Sequence, residues 1–92
     1  MKIFGDNLVE QTMSANPIGV ECKFLVDGTL TVSHVDLEGR WTAVEQGRQW
    51  VDQLGRHVLL MLPGQIVREI RLRPDTMTWE LLPEKKQNTY LV

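Results

Sequence analysis

Apolar side chains occupy every second position from residue 18 to residue 26. These positions are Ile18, Val20, Cys22, Phe24 and Val26. Alternation with a period of two predicts a β-strand with one buried face, because successive side chains of an extended chain point to opposite sides. Asp27-Gly28 follows at once and supplies residues that tolerate the backbone of a tight turn. The segment therefore predicts the start of a β-hairpin and, with it, an antiparallel β domain.

Short apolar segments between polar turns recur along most of the chain. We predict strands over residues 18–26, 29–35, 41–51, 56–62, 65–73 and 77–81. Gly47 predicts a bulge within the third strand, and Pro63-Gly64 fits the two central positions of a type II turn. Consecutive antiparallel strands form a meander. We therefore expect a mainly β fold of about six strands that closes into a small barrel or a strongly bent sheet.

The strand at residues 56–62 is apolar without alternation, so both of its faces need cover. A flat sheet would leave one apolar face in water, because the chain offers little helix to cover it. Rolling the sheet up buries that face and removes most unpaired edges. We expect the other face of this central strand to be covered by the N-terminal segment, the C-terminal tail or a second subunit.

The chain divides into three parts. Residues 1–17 form an N-terminal segment with a short helix or a short strand, residues 18–82 form the β domain, and residues 83–92 form a polar tail. The tail ends in Tyr90-Leu91-Val92, an apolar tip that either closes the domain's own sheet or docks on a partner. A length of 92 residues suits one domain with one modest core.

Cysteine content and hydropathy indicate the cellular compartment. Cys22 is the single cysteine, so no internal disulfide forms, and its place on the apolar strand face predicts a buried structural thiol. The first residues lack the apolar run of a signal peptide. No stretch approaches the roughly 20 apolar residues of a membrane-spanning helix. We therefore expect a cytoplasmic protein without membrane contact.

Charge is distributed unevenly along the chain. The net charge is −2. Among the charged side chains of residues 1–39 most are acidic, whereas residues 40–73 have an excess of basic side chains, all of which are arginines. Arginine binds phosphates and carboxylates and stacks on aromatic rings. The predicted binding surface is Arg40, Arg48, Trp50, Arg56, Arg71 and Arg73. The alternative is that these arginines pair with acidic side chains on neighbouring strands.

The three tryptophans have two alternative roles. Trp41, Trp50 and Trp79 either anchor the core or stand exposed, where bases or a peptide would stack on them. Trp50 is the strongest candidate for exposure, because it lies just before a predicted turn and beyond the bulge.

The sequence contains no recognisable catalytic or metal-binding motif. His34 and His57 are the only histidines, and neither has a partner at the spacing of metal ligands. His57 shares a predicted strand face with Leu59 and Met61, which favours a hydrogen-bonded core histidine over a ligand. We predict a protein that is not an enzyme, with no catalytic residues, no cofactor and no metal ion.

A series of turn glycines and aromatic residues resembles a class of small bacterial all-β domains of unassigned function. The residues that carry it are Val26-Asp27-Gly28, Gly39-Arg40-Trp41, Trp50, residues 55–61 and Trp79. They extend over about residues 18–82. The resemblance implies a compact β-barrel in a bacterial cytoplasm, and it brings no catalytic residues with it.

Two functions agree with these features. The first is a protein-interaction or assembly module, including one that forms homo-oligomers, and it agrees with the near-neutral charge, the doubly apolar central strand and the apolar tip. The alternative is a small barrel that binds nucleic acid, preferably single-stranded, through the arginines and Trp50. That alternative requires the arginines to share one face, and its binding would weaken steeply with added salt.

Overall fold

The computed structural model describes residues 15–84, in which the chain forms strands and turns and no helix. No part of that range could cross a membrane as a helix. The strands are β1 (Asn16–Pro17), β2 (Gly19–Phe24), β3 (Leu30–Leu37), β4 (Arg40–Ala43), β5 (Glu45–Asp52), β6 (Gly55–Leu62), β7 (Ile66–Leu72) and β8 (Trp79–Leu81). The prediction of a mainly β fold is confirmed. The expectations for residues 1–14 and for the apolar tip fall outside the described residues.

The strands form two antiparallel sheets. The five-stranded sheet has the order β1-β8-β7-β6-β5, and the three-stranded sheet has the order β2-β3-β4. The chain passes directly from one sheet to the other at two places, because only Ile18 separates β1 from β2 and only Val44 separates β4 from β5. Each of these places is a corner at which a strand changes sheets.

The turn chemistry predicts most strand boundaries. The first strand, however, ends at Phe24 rather than Val26, because the turn already begins at Leu25, whose N–H donates to the Thr29 carbonyl. Phe24 and Val26 are exposed rather than buried. The Gln65 N–H donates to the Leu62 carbonyl at 3.1 Å, and Gly64 has a φ of 86°, as the predicted type II turn requires. The pairing of β5 with β6 shifts register between Gln46 and Gln49, so the predicted bulge at Gly47 is confirmed. β1 extends the β domain to two residues before Ile18, since Asn16 and Pro17 pair with β8.

The core lies between the two sheets. It consists of Leu30, Val32, Val35, Val58, Leu60, Leu62 and Ile70. On β6, Val58 and Leu60 point into this core, while His57 and Leu59 are buried on the opposite face. The prediction that the central strand is covered on both faces is confirmed. The segments expected to provide the second cover lie almost wholly outside the described residues.

Cys22 packs against the core but is only half-buried, which differs from the buried thiol expected from alternation. The difference arises because β2 is an edge strand of the three-stranded sheet, so no strand within residues 15–84 lies along one of its sides. Burial nevertheless raises the pKa of the Cys22 thiol.

Two glutamine side chains join the sheets where β3 and β5 diverge. The Val32 N–H donates to Gln46 Oε1 at 2.6 Å, and Gln46 Nε2 donates to the Leu30 carbonyl at 2.9 Å. Gln49 Nε2 donates to the same carbonyl at 2.8 Å. These amides supply partners for buried backbone groups that no strand of the described range reaches on this side, and buried backbone groups need such partners.

Candidate interaction surface

The six residues of the predicted binding surface do not form one cluster. On the five-stranded sheet, Trp50 is paired with His57 and His57 with Arg71, so these side chains share the outer face. Arg56 is paired with Leu72 and points to the opposite face. Arg40 lies on the other sheet. The structure therefore does not bring all the predicted arginines to one side.

Arg71 and Arg73 are both engaged by carboxylates. Arg71 Nη2 lies 2.8 Å from Glu80 Oε1. Arg73 contacts Asp75 at 2.7 Å and Glu80 at 3.3 Å. Hydrogen bonds from Arg73 hold the pKa of Asp75 below its ordinary value. For these two arginines the pairing alternative is the observed one, and their charge is balanced locally.

Arg48 and Trp50 are brought together in a stack. The Arg48 guanidinium lies 5.3 Å from the centroid of the Trp50 ring, and the ring of His57 stacks on the same indole at 5.0 Å with an interplanar angle of 2°. Trp50 is half-buried by this arrangement rather than exposed. Arg56 is held elsewhere, with its guanidinium donating to Gln49 Oε1 at 3.0 Å and lying over Phe24.

His57 is clamped between two carboxylates, a contact that the sequence reasoning missed. Its Nδ1 lies 2.6 Å from Glu69 Oε2 and its Nε2 lies 2.8 Å from Asp52 Oδ1. Each ring nitrogen of His57 therefore has a carboxylate oxygen as its hydrogen-bond partner. The hydrogen bond from His57 and a second one from the Leu54 N–H lower the pKa of Asp52. The only signal for Glu69 is the β6–β7 register, which no local pattern reveals.

The His57 cluster suits a structural role. It ties β6 to β7 and to the end of β5, and the His57 and Glu69 side chains are each only 6% exposed. A burial of this kind leaves little access for a substrate. Within residues 15–84, no set of three or more histidine, cysteine, aspartate or glutamate side chains is arranged to hold a metal ion.

The most exposed tryptophan of the described part is Trp41, which is 56% exposed on the outer side of β4. Its indole lies against the Gly19 backbone, where an added Cβ would come within 3.3 Å of the ring. The absence of a side chain at Gly19 therefore allows the Trp41 ring to pack directly on the β2 backbone. Two concavities flank Trp41 and are lined by residues that include Val20, Glu21 and His34 on one side and Leu62, Pro63 and Ile66 on the other.

The edge of β4 beside Trp41 is open. The Val44 N–H donates to the Ser33 carbonyl of β3 at 3.0 Å. Alternation along the strand then directs the backbone groups of Thr42 towards β3 and those of Trp41 and Ala43 away from it. β4 is an edge strand, so no strand of the described range pairs with it on that side.

These features form one continuous surface. We call it the β4 edge surface, and it consists of Trp41, Ala43, Leu62, Pro63 and Ile66. It combines an exposed indole, backbone groups that no strand of the described residues pairs with, and an apolar concavity. The sequence pointed to Trp50 instead, because alternation and turn position do not show which strand lies at a sheet edge.

No protein-family model, characterised protein or solved structure matches this chain. The resemblance to small bacterial all-β domains therefore stays a prediction.

Proposed function

We propose that this chain is a non-enzymatic protein-interaction or assembly module that binds its partner through the β4 edge surface. The open edge of β4 beside the exposed Trp41 is the observation that carries this proposal. An unpaired strand edge binds extended segments by adding a strand, with backbone hydrogen bonds for affinity and pockets for selectivity. Tryptophan is among the residues that most often dominate binding energy at protein interfaces.

The apolar concavity next to the edge supports the same proposal. Leu62, Pro63 and Ile66 line it together with Trp41, and Ile66 is 43% exposed. Side chains that alternate along an added strand would reach this concavity at every second position. We therefore expect the partner segment to be extended and to carry apolar residues two positions apart.

The nucleic-acid alternative receives less support from the same geometry. Arg71 and Arg73 are neutralised by carboxylates, Arg56 faces away from them, and Arg40 lies on the other sheet. A phosphate-binding surface needs several unpaired cations on one side, because its affinity comes from neutralised phosphates. Arg48 and Trp50 together provide only one such cation. Nucleic-acid binding stays a prediction without a formed site.

We also propose that the two sheets are the two sides of one barrel. It has six strands when β1 with β2, and β4 with β5, are each counted as one bent strand. The continuous passages at Ile18 and Val44 support this closure, and so does the pairing of β1 with β8, which joins the first and last strands. The glutamine bridges from Gln46 and Gln49 support it as well, since they lie at the gap between β3 and β5. A cytoplasmic location in a bacterium remains part of the same proposal and rests on the sequence.

The proposed function is tested with a displayed library of extended peptides. We expect the full chain to select peptides with apolar residues two positions apart. Trp41→Ala should weaken the binding of a selected peptide at least about tenfold, as loss of a central aromatic anchor does.

The control variant is Val26→Ser. Val26 is fully exposed in the β2–β3 turn, at the opposite end of β3 from Trp41. This variant should leave peptide affinity unchanged. Selection of no peptide, or equal loss of binding in both variants, would contradict the proposed surface.

A further inference from the structure

We propose that the partner of the β4 edge surface is a second copy of this chain, and that the two β4 strands pair antiparallel across a two-fold axis. This inference rests on the proposed function, because it names the occupant of the same surface. The two copies would share a three-stranded sheet that becomes six-stranded in the dimer. Closed two-fold dimers are the commonest form of self-association in soluble proteins.

The free backbone groups lie where two-fold pairing needs them. Trp41 and Ala43 direct their N–H and C=O groups away from β3, with Thr42 between them. An axis that passes beside Thr42 places Trp41 of each copy opposite Ala43 of the other. Trp41 of one copy and Ala43 of the other would then exchange two hydrogen bonds, as directly opposed residues of an antiparallel ladder do. The symmetry repeats this pair, so the outward N–H and C=O groups of both residues would be paired in both copies.

The path of the chain after β6 explains why no strand of residues 15–84 covers the β4 edge. β6 pairs with β5 as far as Met61, which lies opposite Glu45, and β6 ends at Leu62. The chain then turns at Pro63, which has no N–H to offer to Ala43. A concavity lined by Ala43, Leu62 and Pro63 takes the place of a neighbouring strand. An incoming strand would need to lie about 4.8 Å from β4, on this open side.

Side-chain sizes agree with this register. Trp41 and Ala43 are both exposed and project from the same side of β4. The register sets the large indole of one copy beside the small methyl group of the other, so neither indole meets a bulky neighbour. Thr42 meets its own equivalent, and no charged residue faces its own copy across the axis. Self-pairing is therefore not opposed by like charges.

The other sheet edges carry features that oppose strand addition, whereas the single charged residue of β4 is Arg40, at its start. β1 contains Pro17, β5 has a bulge after Gln46, and β2 carries the charged residues Glu21 and Lys23. Proline, bulges and charges are the devices by which soluble proteins protect exposed edges. The segment Trp41-Thr42-Ala43 has none of them. This contrast favours β4 as the edge at which two copies meet.

The inference is tested by sedimentation velocity together with amide hydrogen exchange followed by NMR. We expect the full chain to form dimers between about 10 μM and about 1 mM, the range of a weak to moderate dissociation constant. Dimer formation should slow exchange at the Trp41 and Ala43 amides. The Val44 amide provides an internal reference, because it already donates to Ser33 in one copy.

A pair of variants at one position separates the backbone contact from general effects. Ala43→Pro removes the outward N–H and should weaken dimerisation at least about tenfold, since each copy loses one donor. Ala43→Ser keeps that N–H and a small side chain, so it should dimerise like the parent chain. If the proline variant fails to fold, Ala43→Lys replaces it as a test of the interface: its exposed side chain would set a long charged group beside Trp41 of the other copy and should also weaken dimerisation.

The outcomes distinguish this inference from the proposed function. A chain that is monomeric at about 1 mM, or a dimer in which the Trp41 and Ala43 amides exchange freely, overturns the inference. If such a chain still selects peptides in a Trp41-dependent way, the proposed function stands and its partner is another protein. If it selects none, both are wrong. A dimer that Ala43→Pro disrupts and Ala43→Ser does not supports both.

Discussion

At the scale of single residues, Gly55 is the glycine at which an added side chain would fit least well. It begins β6 with a φ of 136°, and a Cβ built on it would fall on the carbonyl oxygen of Leu72 in β7. That oxygen belongs to the backbone of a paired strand and has little freedom to move. The absence of a side chain at Gly55 therefore allows β6 and β7 to begin their ladder at this point.

Gly55→Ala should cost more than about 3 kcal/mol in the free energy of unfolding, because an overlap with backbone can only be relieved by separating the strands. Gly28→Ala is the matched control. Gly28 also has a positive φ, of 91°, but nothing lies within 4 Å of an added Cβ there. It should cost about 1–2 kcal/mol from backbone strain alone. Urea unfolding measures both, and equal losses would contradict the close approach.

At the scale of elements, the β5–β6 hairpin is tied to β7 by the His57 cluster. Trp50 stacks on His57, and the two carboxylates that accept from His57 come from the hairpin end and from the adjacent strand. Sequence reasoning recognised His57 as a hydrogen-bonded core residue. It did not identify Asp52 or Glu69, because which carboxylates meet the ring depends on strand register and turn geometry.

Asp52 makes the stability of this hairpin depend on pH. Its pKa in the folded chain lies below the ordinary value of about 3.9, first because His57 donates to it and then because the Leu54 N–H does. The unfolded chain therefore binds more protons in mild acid, and stability rises with pH there. The contribution of Asp52 is present above about pH 4 and is lost as the pH falls through its lower folded pKa.

Asp52→Asn keeps an oxygen that accepts from His57 but removes the titration. We expect this variant to be less stable than the parent chain at neutral pH and to lose less stability on acidification. Thermal unfolding between about pH 7 and about pH 2 measures the difference. Glu38→Gln, in the exposed β3–β4 turn, is the control. If stability falls with decreasing pH equally steeply in Asp52→Asn and in the parent chain, the Asp52 carboxylate does not contribute to the pH dependence of stability.

At the scale of the whole molecule, the two sheets share one core and are joined directly at Ile18 and at Val44. A single core of this size is expected to unfold in one cooperative transition. Polar contacts also join the two sheets. Gln46 of β5 accepts a hydrogen bond from the Val32 N–H and donates one to the Leu30 carbonyl of β3. Both of those residues are almost completely buried.

Gln46→Ala should lower the free energy of unfolding by about 1–3 kcal/mol, since it leaves a buried backbone donor without its acceptor. The transition should remain single, with the same dependence on urea concentration. Gln53→Ala, in the exposed β5–β6 turn, should stay within about 0.5 kcal/mol of the parent chain. Two separate transitions in Gln46→Ala would mean that the sheets are independent units. A change as small as that of Gln53→Ala would mean that the bridge does not stabilise the fold.

Local patterns in the sequence were sufficient to predict most of the strands, the bulge at Gly47 and the turn at Pro63-Gly64. Alternation and turn chemistry act between residues that are close along the chain, so these features need no knowledge of distant partners. Local patterns also predicted a histidine buried in a hydrogen-bonded setting. They did not predict that Trp41, rather than Trp50, would be the exposed tryptophan.

The tertiary structure alone decided which side chains and edges meet. The split into two sheets at Ile18 and Val44, the carboxylates around His57 and the open edge of β4 all depend on pairings between residues distant in sequence. Register and edge position arise from how the whole chain closes on itself, and a shift of one residue would exchange the two faces of a strand. For that reason, the sequence by itself determined the β architecture of this chain, and its three-dimensional pairing decided where a partner would bind.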